Sequence, residues 1–176
     1  LRKNQGYGAA LKAGLRHAQG DWVGIIDADG TYDPAALMEC YARARRQDID
    51  MVVGDRSRSL HAVPWYRRPG KLIIYLLARF LVWQDIPDLN SGLRVFKRSL
   101  GLEFMHLYPQ GFSFTTTITL AALTSNYFVE WMPITYAKRI GTSQIHFVRG
   151  LFHTFPNFFV LIIRIVTYFK PLRFFA

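Results

Sequence analysis

The sequence predicts a single α/β domain, and three observations support this prediction. Segments with helical spacing of apolar residues alternate with short apolar runs, the order typical of an α/β sandwich. The chain has 176 residues, which is long enough for one domain with its own core. Apolar residues make up 51% of the chain, a fraction that argues against a disordered protein.

The first half of the chain is predicted to contain two helices and two strands. Helical spacing over residues 7–20 predicts a first helix that stops at Gly20. Residues 22–26, with the sequence WVGII, form a short apolar strand of the kind buried in parallel sheets. Asp33 and Pro34 are an N-cap and a first-turn proline, so they open a second helix that runs through Arg46. The run IDMVVG then predicts a second buried strand.

The rest of the chain is predicted to contain an apolar helix and two further strands. The run KLIIYLLARFLVW is the helix. The runs SGLRVFKRS and YFVEWMPITYAKR are the strands, the latter broken at Pro133. In an open α/β sheet ligands bind at the carboxyl ends of the strands, so we expect the site at that edge.

Charge is unevenly distributed along the chain. Its 22 Lys and Arg against 12 Asp and Glu give a net charge of +10, which indicates a phosphorylated substrate, a membrane surface or nucleic acid as partner. From Trp131 onward there is no acidic residue, and the tail over residues 145–176 is rich in Phe and interrupted by Arg164. Its apolar run is too short to span about 30 Å of hydrocarbon, so we expect an amphipathic helix in the membrane interface, or alternatively a helix packed on the domain. The single cysteine, Cys40, excludes a disulfide framework and a cysteine-based zinc site.

Carboxylates are concentrated directly behind the first predicted strand. Asp27 and Asp29 flank one small residue there, and Asp33 follows as the helix cap. Two neighbouring carboxylates repel each other unless a cation lies between them, and hard oxygen ligands suit Mg²⁺ or Mn²⁺ bound to a diphosphate. The alternative is a turn with an N-cap and no ligand.

Further polar residues are predicted at or near the same edge. Asn4 and Gly6 open the first helix, where a glycine lets the backbone approach a ligand and the helix N-terminus favours phosphate. Arg56 follows a strand end and is able to pair with a phosphate, with Asp27 or with Asp29.

Two other segments supply candidate residues. A basic group flanks the apolar helix and suits an acceptor phosphate or lipid headgroups; it consists of Arg67, Arg68 and Lys71. In the run DLNSGLR, Asp88 is placed to cap backbone amides or to face a sugar, while Ser91 and Gly92 shape a tight loop.

The run NQGYGAALKAGLRHAQGDWVGIIDADGTYDP resembles the core of the family-2 glycosyltransferases, which have the GT-A (Rossmann-like) fold. The runs VVGDRSR, DLNSGLRVFKR, GFSFTTTITLA and PITYAKRIGTSQIH follow in the family's order. The chain is most similar to the polyprenyl-phosphate glycosyltransferases, such as the dolichyl-phosphate mannose synthases. This resemblance implies an inverting, metal-dependent hexosyltransferase that uses Mg²⁺ or Mn²⁺ and a nucleotide-diphosphate sugar. It also implies a polyprenyl-phosphate acceptor at the cytoplasmic face of a membrane, with no nucleic acid as partner and no particular oligomeric state.

The resemblance also assigns roles to residues. Asp27 and Asp29 correspond to the metal-binding Asp-x-Asp motif, Asp29 as the more direct ligand, and Thr31 stands where relatives often carry a glutamine that contacts the metal. The expected nucleotide-sugar contacts are Asn4, Gly6, Asp27, Asp29, Arg139 and Ser143. The expected acceptor-phosphate contacts are Arg67, Arg68, Lys71 and Ser91, and the expected catalytic residues are Asp88, Arg56 and Arg139.

The resemblance and the basic, aromatic tail together predict how the chain is divided. We expect a partial catalytic domain over residues 1–144 and a membrane-interface helix over residues 145–176. The family's first strand would precede Leu1, and we expect membrane spans after Ala176.

The segment GFSFTTTITLA bears on the acceptor through what it lacks. A transferase that attacks with a sugar hydroxyl needs a general base, and relatives that make polysaccharides carry it in this segment. Here no acid occurs between Glu103 and Glu130, and a lipid phosphate, already an anion, needs no base. The composition therefore favours a polyprenyl-phosphate acceptor, with Asp88 as an alternative base for a glycan or glycolipid acceptor. The sequence also leaves open a nucleotidyltransferase and a non-enzymatic module that binds membrane surfaces.

Overall fold

The computed structural model describes residues 4–57, 85–111 and 113–137 together with Thr167, and the elements below are those of these residues. In chain order they are α1 (Tyr7–His17), β1 (Trp22–Ile25), α2 (Pro34–Gln47), β2 (Met51–Asp55), β3 (Arg94–Lys97), α3 (Arg98–Glu103), α4 (Phe114–Thr124) and β4 (Val129–Pro133).

The four strands form one mixed sheet in the order β1-β3-β2-β4. β3 runs antiparallel to both of its neighbours, with Arg94 opposite Ile25 of β1 and Val53 of β2. β2 and β4 are parallel. β1, β2 and β4 therefore end at one edge of the sheet, and β3 begins there; we call this the carboxyl edge.

The sheet is covered by helices on both faces. Met51, Val53 and Phe96 belong to a buried cluster that also contains residues of α1, α3 and α4. Val52 and Val95, which alternate with them along the strands, pack on the opposite face with the residues of α2. The result is the three-layer α/β sandwich that the sequence predicts.

Several predicted boundaries are confirmed, and others differ. α1 ends at His17 and not at Gly20, because Ala18 is already extended. Asp33 caps α2 as predicted, since its Oδ1 accepts a hydrogen bond of 2.9 Å from the backbone N–H of Ala35. β1 is a strand as predicted, but its partner β3 is antiparallel. The strand predicted through residue 99 ends at Lys97, where α3 begins.

The predicted helix over residues 71–83 lies outside the described residues, and of the helix predicted over residues 145–176 only Thr167, which is helical, is described. Within the part of the chain that the structure describes, no helix combines the length and the hydropathy needed to cross a membrane.

Candidate active site

The carboxyl edge brings together charged residues from separate parts of the chain. They are Asp27 and Asp29 after β1, Asp55 and Arg56 at the end of β2, Asp88 before β3, and Arg94 at its start. The sheet topology explains this convergence, because three strands end and one begins at this edge.

The Asp27 carboxylate is held from two sides. Its Oδ1 accepts a hydrogen bond of 3.0 Å from the hydroxyl of Tyr7, the first residue of α1. On the other side lies the backbone of Gly92, where an added Cβ would stand 2.1 Å from Oδ2. Gly92 in turn donates its N–H to the Tyr32 hydroxyl over 2.8 Å. Burial, together with the charge of Asp27, raises the pKa of Tyr7, so Tyr7 stays a neutral hydrogen-bond donor at pH 7.

Asp29 is oriented by its own loop. Its Oδ1 accepts hydrogen bonds from the Thr31 hydroxyl over 2.5 Å and from the Thr31 backbone N–H over 3.2 Å. Thr31 is buried, and its carbonyl accepts a bond of 2.9 Å from the N–H of Ala137. Thr31 therefore orients Asp29, while its direct contact with a metal stays a prediction.

The donor set at this loop suits a hard divalent cation. Asp27 and Asp29 offer carboxylate oxygens, and Mg²⁺ is commonly bound through one or two carboxylates plus substrate phosphates. Among the described residues, no group of three or more His, Cys, Asp or Glu is placed to hold a metal ion. A Mg²⁺ or Mn²⁺ at Asp27 and Asp29 would thus take further oxygen ligands from a diphosphate or from water.

Asp88, which is buried, and Arg56, which is half-buried, form a bidentate ion pair. The Nε of Arg56 donates to Oδ2 of Asp88 over 2.6 Å, and its Nη2 donates to Oδ1 over 2.9 Å. Burial alone would lower the pKa of Arg56, but its hydrogen bonds and attraction to Asp88 raise it above its ordinary value. The guanidinium also lies over the ring of Tyr136, 5.3 Å from its centroid. The sequence offered Asp27 and Asp29 as carboxylate partners of Arg56, but its partner in the structure is Asp88.

Asp88 is also the structural centre of its loop. Its Oδ1 accepts from the N–H of Asn90 over 3.1 Å, and its carbonyl accepts from the indole of Trp131 over 2.9 Å. This confirms the backbone-capping interpretation of Asp88. A carboxylate whose two oxygens both accept from a guanidinium is poorly placed to take a proton from an acceptor hydroxyl.

Arg94 is a charged residue at this edge to which the sequence assigned no role. It is fully buried beneath the site, and its Nη1 donates to the carbonyl of Thr115 over 2.8 Å and to the hydroxyl of Thr119 over 2.9 Å. Its Nη2 donates to the carbonyl of Ser91 over 2.5 Å. Burial lowers the pKa of Arg94 to about 10, so it remains a cation at pH 7. The signal in the sequence is an arginine within the apolar run LRVF.

Tyr7 and Asp55 were also not identified from the sequence as residues of the site. Both Asp55 oxygens accept from Ser57, one from its N–H and one from its hydroxyl, each over 2.8 Å. This turn fixes the backbone around Arg56. The signal for Tyr7 is its place between two glycines in the run NQGYG.

At the start of α1, where a phosphate site is expected, two backbone amides bond to a neighbouring loop. The N–H groups of Gly8 and Ala9 donate to the carbonyls of Gly111 and Gln110, each over 2.9 Å. Asn4 accepts from the N–H of Gly6 over 3.0 Å, which closes the turn before the helix. Two amides of the helix N-terminus are thus already satisfied by the protein, and the nucleotide contacts of Asn4 and Gly6 stay predictions.

Of the remaining predicted residues, one lies beneath this cluster and the others lie outside the described residues. Ser91 is fully buried, and its Oγ accepts from the N–H of Leu93 over 3.3 Å, so its contact with an acceptor phosphate stays a prediction. The residues outside the described part of the chain are Arg67, Arg68, Lys71, Arg139 and Ser143.

Comparison with known proteins gives consistent similarities. Residues 1–101 match the family described as Glycosyl transferase family 2. A dolichyl-phosphate hexose transferase of Haloferax volcanii is 28% identical over 142 residues, which covers 80% of this chain and 61% of that protein. A low-salt glycan biosynthesis hexosyltransferase, Agl6, of the same organism is 27% identical over 145 residues, covering 80% of this chain and 35% of that protein.

The fold is similar to that of a solved enzyme. Glucosyl-3-phosphoglycerate synthase from Mycobacterium tuberculosis, crystallised with Mn²⁺, UDP-glucose and phosphoglyceric acid, superposes with a TM-score of 0.63 at 17% identity. The superposition covers 92% of this chain and 55% of that one. The chain thus spans between about a third and three-fifths of the length of the proteins it matches.

Proposed function

Because this chain belongs to glycosyl transferase family 2 and has the GT-A α/β fold, we propose that it supplies the catalytic part of a hexosyltransferase. The donor is a nucleotide-diphosphate sugar, and the acceptor is a polyprenyl phosphate at the cytoplasmic face of a membrane. The reaction inverts the anomeric configuration, because a phosphate oxygen of the acceptor attacks the anomeric carbon opposite the leaving nucleotide diphosphate.

The arrangement of Asp27 and Asp29 supports the donor half of this proposal most strongly. Both carboxylates follow β1 at the carboxyl edge, each oriented by a hydrogen bond from a hydroxyl. Such a pair fits a divalent cation that carries a diphosphate. When bound, Mg²⁺ or Mn²⁺ supplies Lewis-acid stabilisation of the charge that develops on the leaving diphosphate.

Arg56, Arg139 and Ser143 complete the proposed donor site. Arg56, rigidly fixed by Asp88, provides a preorganised positive charge near the reacting groups. Arg139 and Ser143 follow Ala137, whose N–H is bonded to Thr31, by two and six positions in the sequence. The segment that carries both residues therefore begins next to the loop of Asp29, and we expect both to contact the diphosphate.

The polar lining of the edge also supports a phosphate acceptor. The only carboxylate expected from the sequence as an alternative base, Asp88, is committed to Arg56. The start of α4 presents threonines where a transferase that deprotonates a hydroxyl would need an acid. One named relative is a dolichyl-phosphate hexose transferase, which agrees with a lipid phosphate as acceptor.

Membrane association is the third part of the proposal. Residues 145–176 carry Arg and Lys among Phe and Ile and no acid. Each basic residue near an anionic surface contributes about 1 kcal/mol to binding. The chain should therefore sediment with anionic vesicles, whereas a version that ends at residue 144 should stay in the supernatant. If both stay in the supernatant at low salt, membrane docking is contradicted.

The donor site is tested by Asp29→Asn in the full-length protein. We expect its Mn²⁺-dependent affinity for UDP or GDP, measured by calorimetry with and without chelator, to fall at least about tenfold, or 1.4 kcal/mol. Equal affinities of variant and parent would refute the metal assignment.

The acceptor is tested by mass spectrometry of the lipid products formed with a panel of nucleotide sugars. A hexosyl polyprenyl phosphate is the expected product. A glycosylated sugar hydroxyl in place of a lipid phosphate would refute the acceptor assignment and leave the donor half standing.

A further inference from the structure

Tyr7 makes a contact with the candidate metal site that no feature of the proposed chemistry requires. Its hydroxyl donates to Oδ1 of Asp27 over 3.0 Å, although the two residues are 20 positions apart. The Tyr7 ring is half-buried and packs against the apolar cluster beneath α1, and this packing fixes the position of its hydroxyl.

The place of Tyr7 is fixed by the way α1 meets its neighbouring loop. The two residues after it, Gly8 and Ala9, donate their N–H groups to the carbonyls of Gly111 and Gln110. The approach is so close that a Cβ on Gly8 would lie 2.2 Å from the carbonyl oxygen of Pro109. Helix and loop are thus joined by backbone contacts that leave Tyr7 little freedom to move.

The other carboxylate oxygen of Asp27, Oδ2, is restrained by the backbone of Gly92. Gly92 lies against Oδ2 so tightly that only a residue without a side chain fits there. With Oδ1 bonded by Tyr7 and Oδ2 beside Gly92, the carboxylate has one orientation. A functional group held within a fraction of an ångström by its neighbours needs no reorganisation when its ligand arrives.

We propose that Tyr7 is a positioning residue, which holds Asp27 in the orientation in which Asp27 and Asp29 together receive a metal–diphosphate ligand. This inference rests on the proposed function, because it needs the two carboxylates to form a metal site. Tyr7 acts through Asp27 and does not itself meet the metal.

The matched control is Tyr127, which forms the same type of pair elsewhere. Its hydroxyl donates to Oε2 of Glu103 over 2.5 Å, and both residues lie near the start of β4 and the end of α3, away from the carboxyl edge. Tyr7→Phe and Tyr127→Phe each remove one hydroxyl and one hydrogen bond to a carboxylate. A role in stability alone would give them the same kind of effect.

The experiment uses the full-length protein and two readouts, thermal unfolding and Mn²⁺-dependent affinity for UDP and for GDP by calorimetry. Tyr7→Phe should weaken that affinity about tenfold, the size expected when a hydrogen bond to a charged group is lost. Tyr127→Phe should leave it unchanged. In the background of Asp27→Asn, Tyr7→Phe should cause no further loss, because the residue that it positions has already been altered.

Three results would overturn the proposal. An unchanged affinity in Tyr7→Phe, with a lowered unfolding temperature, would reduce Tyr7 to a structural residue. A loss that persists undiminished in Asp27→Asn would show that Tyr7 acts by another route. If Asp29→Asn also binds nucleotide with the parent's affinity, the metal site itself is refuted. If Asp29→Asn binds weakly while Tyr7→Phe keeps the parent's affinity, only the positioning role is refuted.

Discussion

Replacing Gly92 by alanine should disable the candidate metal site through a single methyl group. The added Cβ would lie 2.1 Å from Oδ2 and 2.4 Å from Cγ of Asp27. A carbon atom normally keeps about 3.5 Å from a non-bonded neighbour, so the carboxylate must move by roughly 1 Å or more. That movement breaks its 3.0 Å hydrogen bond with Tyr7.

The expected cost has two parts. Forcing an extra methyl into a packed position lowers the free energy of unfolding by about 1–3 kcal/mol. A displacement of about 1 Å at a reacting site lowers turnover by about 10²-fold, and we expect Mn²⁺-dependent nucleotide affinity to fall at least about tenfold.

The assay combines thermal unfolding with calorimetry of UDP and GDP in Mn²⁺, with chelator as the blank. Gly14→Ala and Gly111→Ala are matched controls, because among the described residues no atom beyond the local backbone lies within 4 Å of a Cβ added at either position. Gly14 lies inside α1, so its replacement should even stabilise the helix, by up to about 1 kcal/mol.

A double variant separates the clash from other effects. In Asp27→Ala the obstructing carboxylate is gone, so Gly92→Ala should cost little further stability, while nucleotide affinity stays low. If Gly92→Ala binds nucleotide as the parent does, or if its instability is the same with and without the Asp27 carboxylate, the reasoning from this contact is wrong.

Three further predictions address other parts of the chain. Gly8→Ala should destabilise the protein by at least about 2 kcal/mol, because the new Cβ would lie 2.2 Å from the rigid backbone carbonyl of Pro109; an unchanged unfolding temperature would contradict the packing of α1. Arg139→Ala should lower kcat/KM by about 10²-fold, and Arg139→Lys should recover little, since an ammonium group lacks the planar fork; full rescue by Lys would show that net charge alone matters. Burial raises the pKa of Cys40 to about 12, so this thiol should remain protonated at pH 8 and react with thiol reagents at least about 10²-fold faster in urea; equal rates would contradict its burial.

Local patterns in the sequence predicted α1, α2 and the strands, because each depends on neighbouring residues, but they did not predict α3 or α4. Asp33 and Pro34 mark the start of α2 through an N-cap bond made within two residues. The apolar runs at β1 and β2 and the carboxylates behind them were equally local signals. The strand ends predicted Asp27, Asp29 and Arg56 at one edge, where the structure also places them, and the structure adds Asp88.

The pairing of side chains across the site was not predictable from the same patterns. Arg56 pairs with Asp88, 32 positions away, and which carboxylate it meets depends on how β2 and β3 align. The Tyr7–Asp27 bond likewise requires the angle at which α1 lies on the sheet. Arg94 resembles a surface cation in the sequence, and only the packing of α4 over β3 explains why it is buried.

Two contacts determine when the protein becomes able to bind nucleotide during its synthesis. They are the hydrogen bond between the Thr31 carbonyl and the Ala137 N–H and the β-bridge between Tyr32 and Tyr136. The loop that carries Asp29 leaves the ribosome more than a hundred residues before the segment that fastens it. Contacts that close so long a loop form late, because its entropy must be lost before the contact is gained. Nucleotide binding should therefore arise only when β4 has joined the sheet, so a nascent chain that stops short of residue 137 would already fold α2 onto β2 while its site stays open.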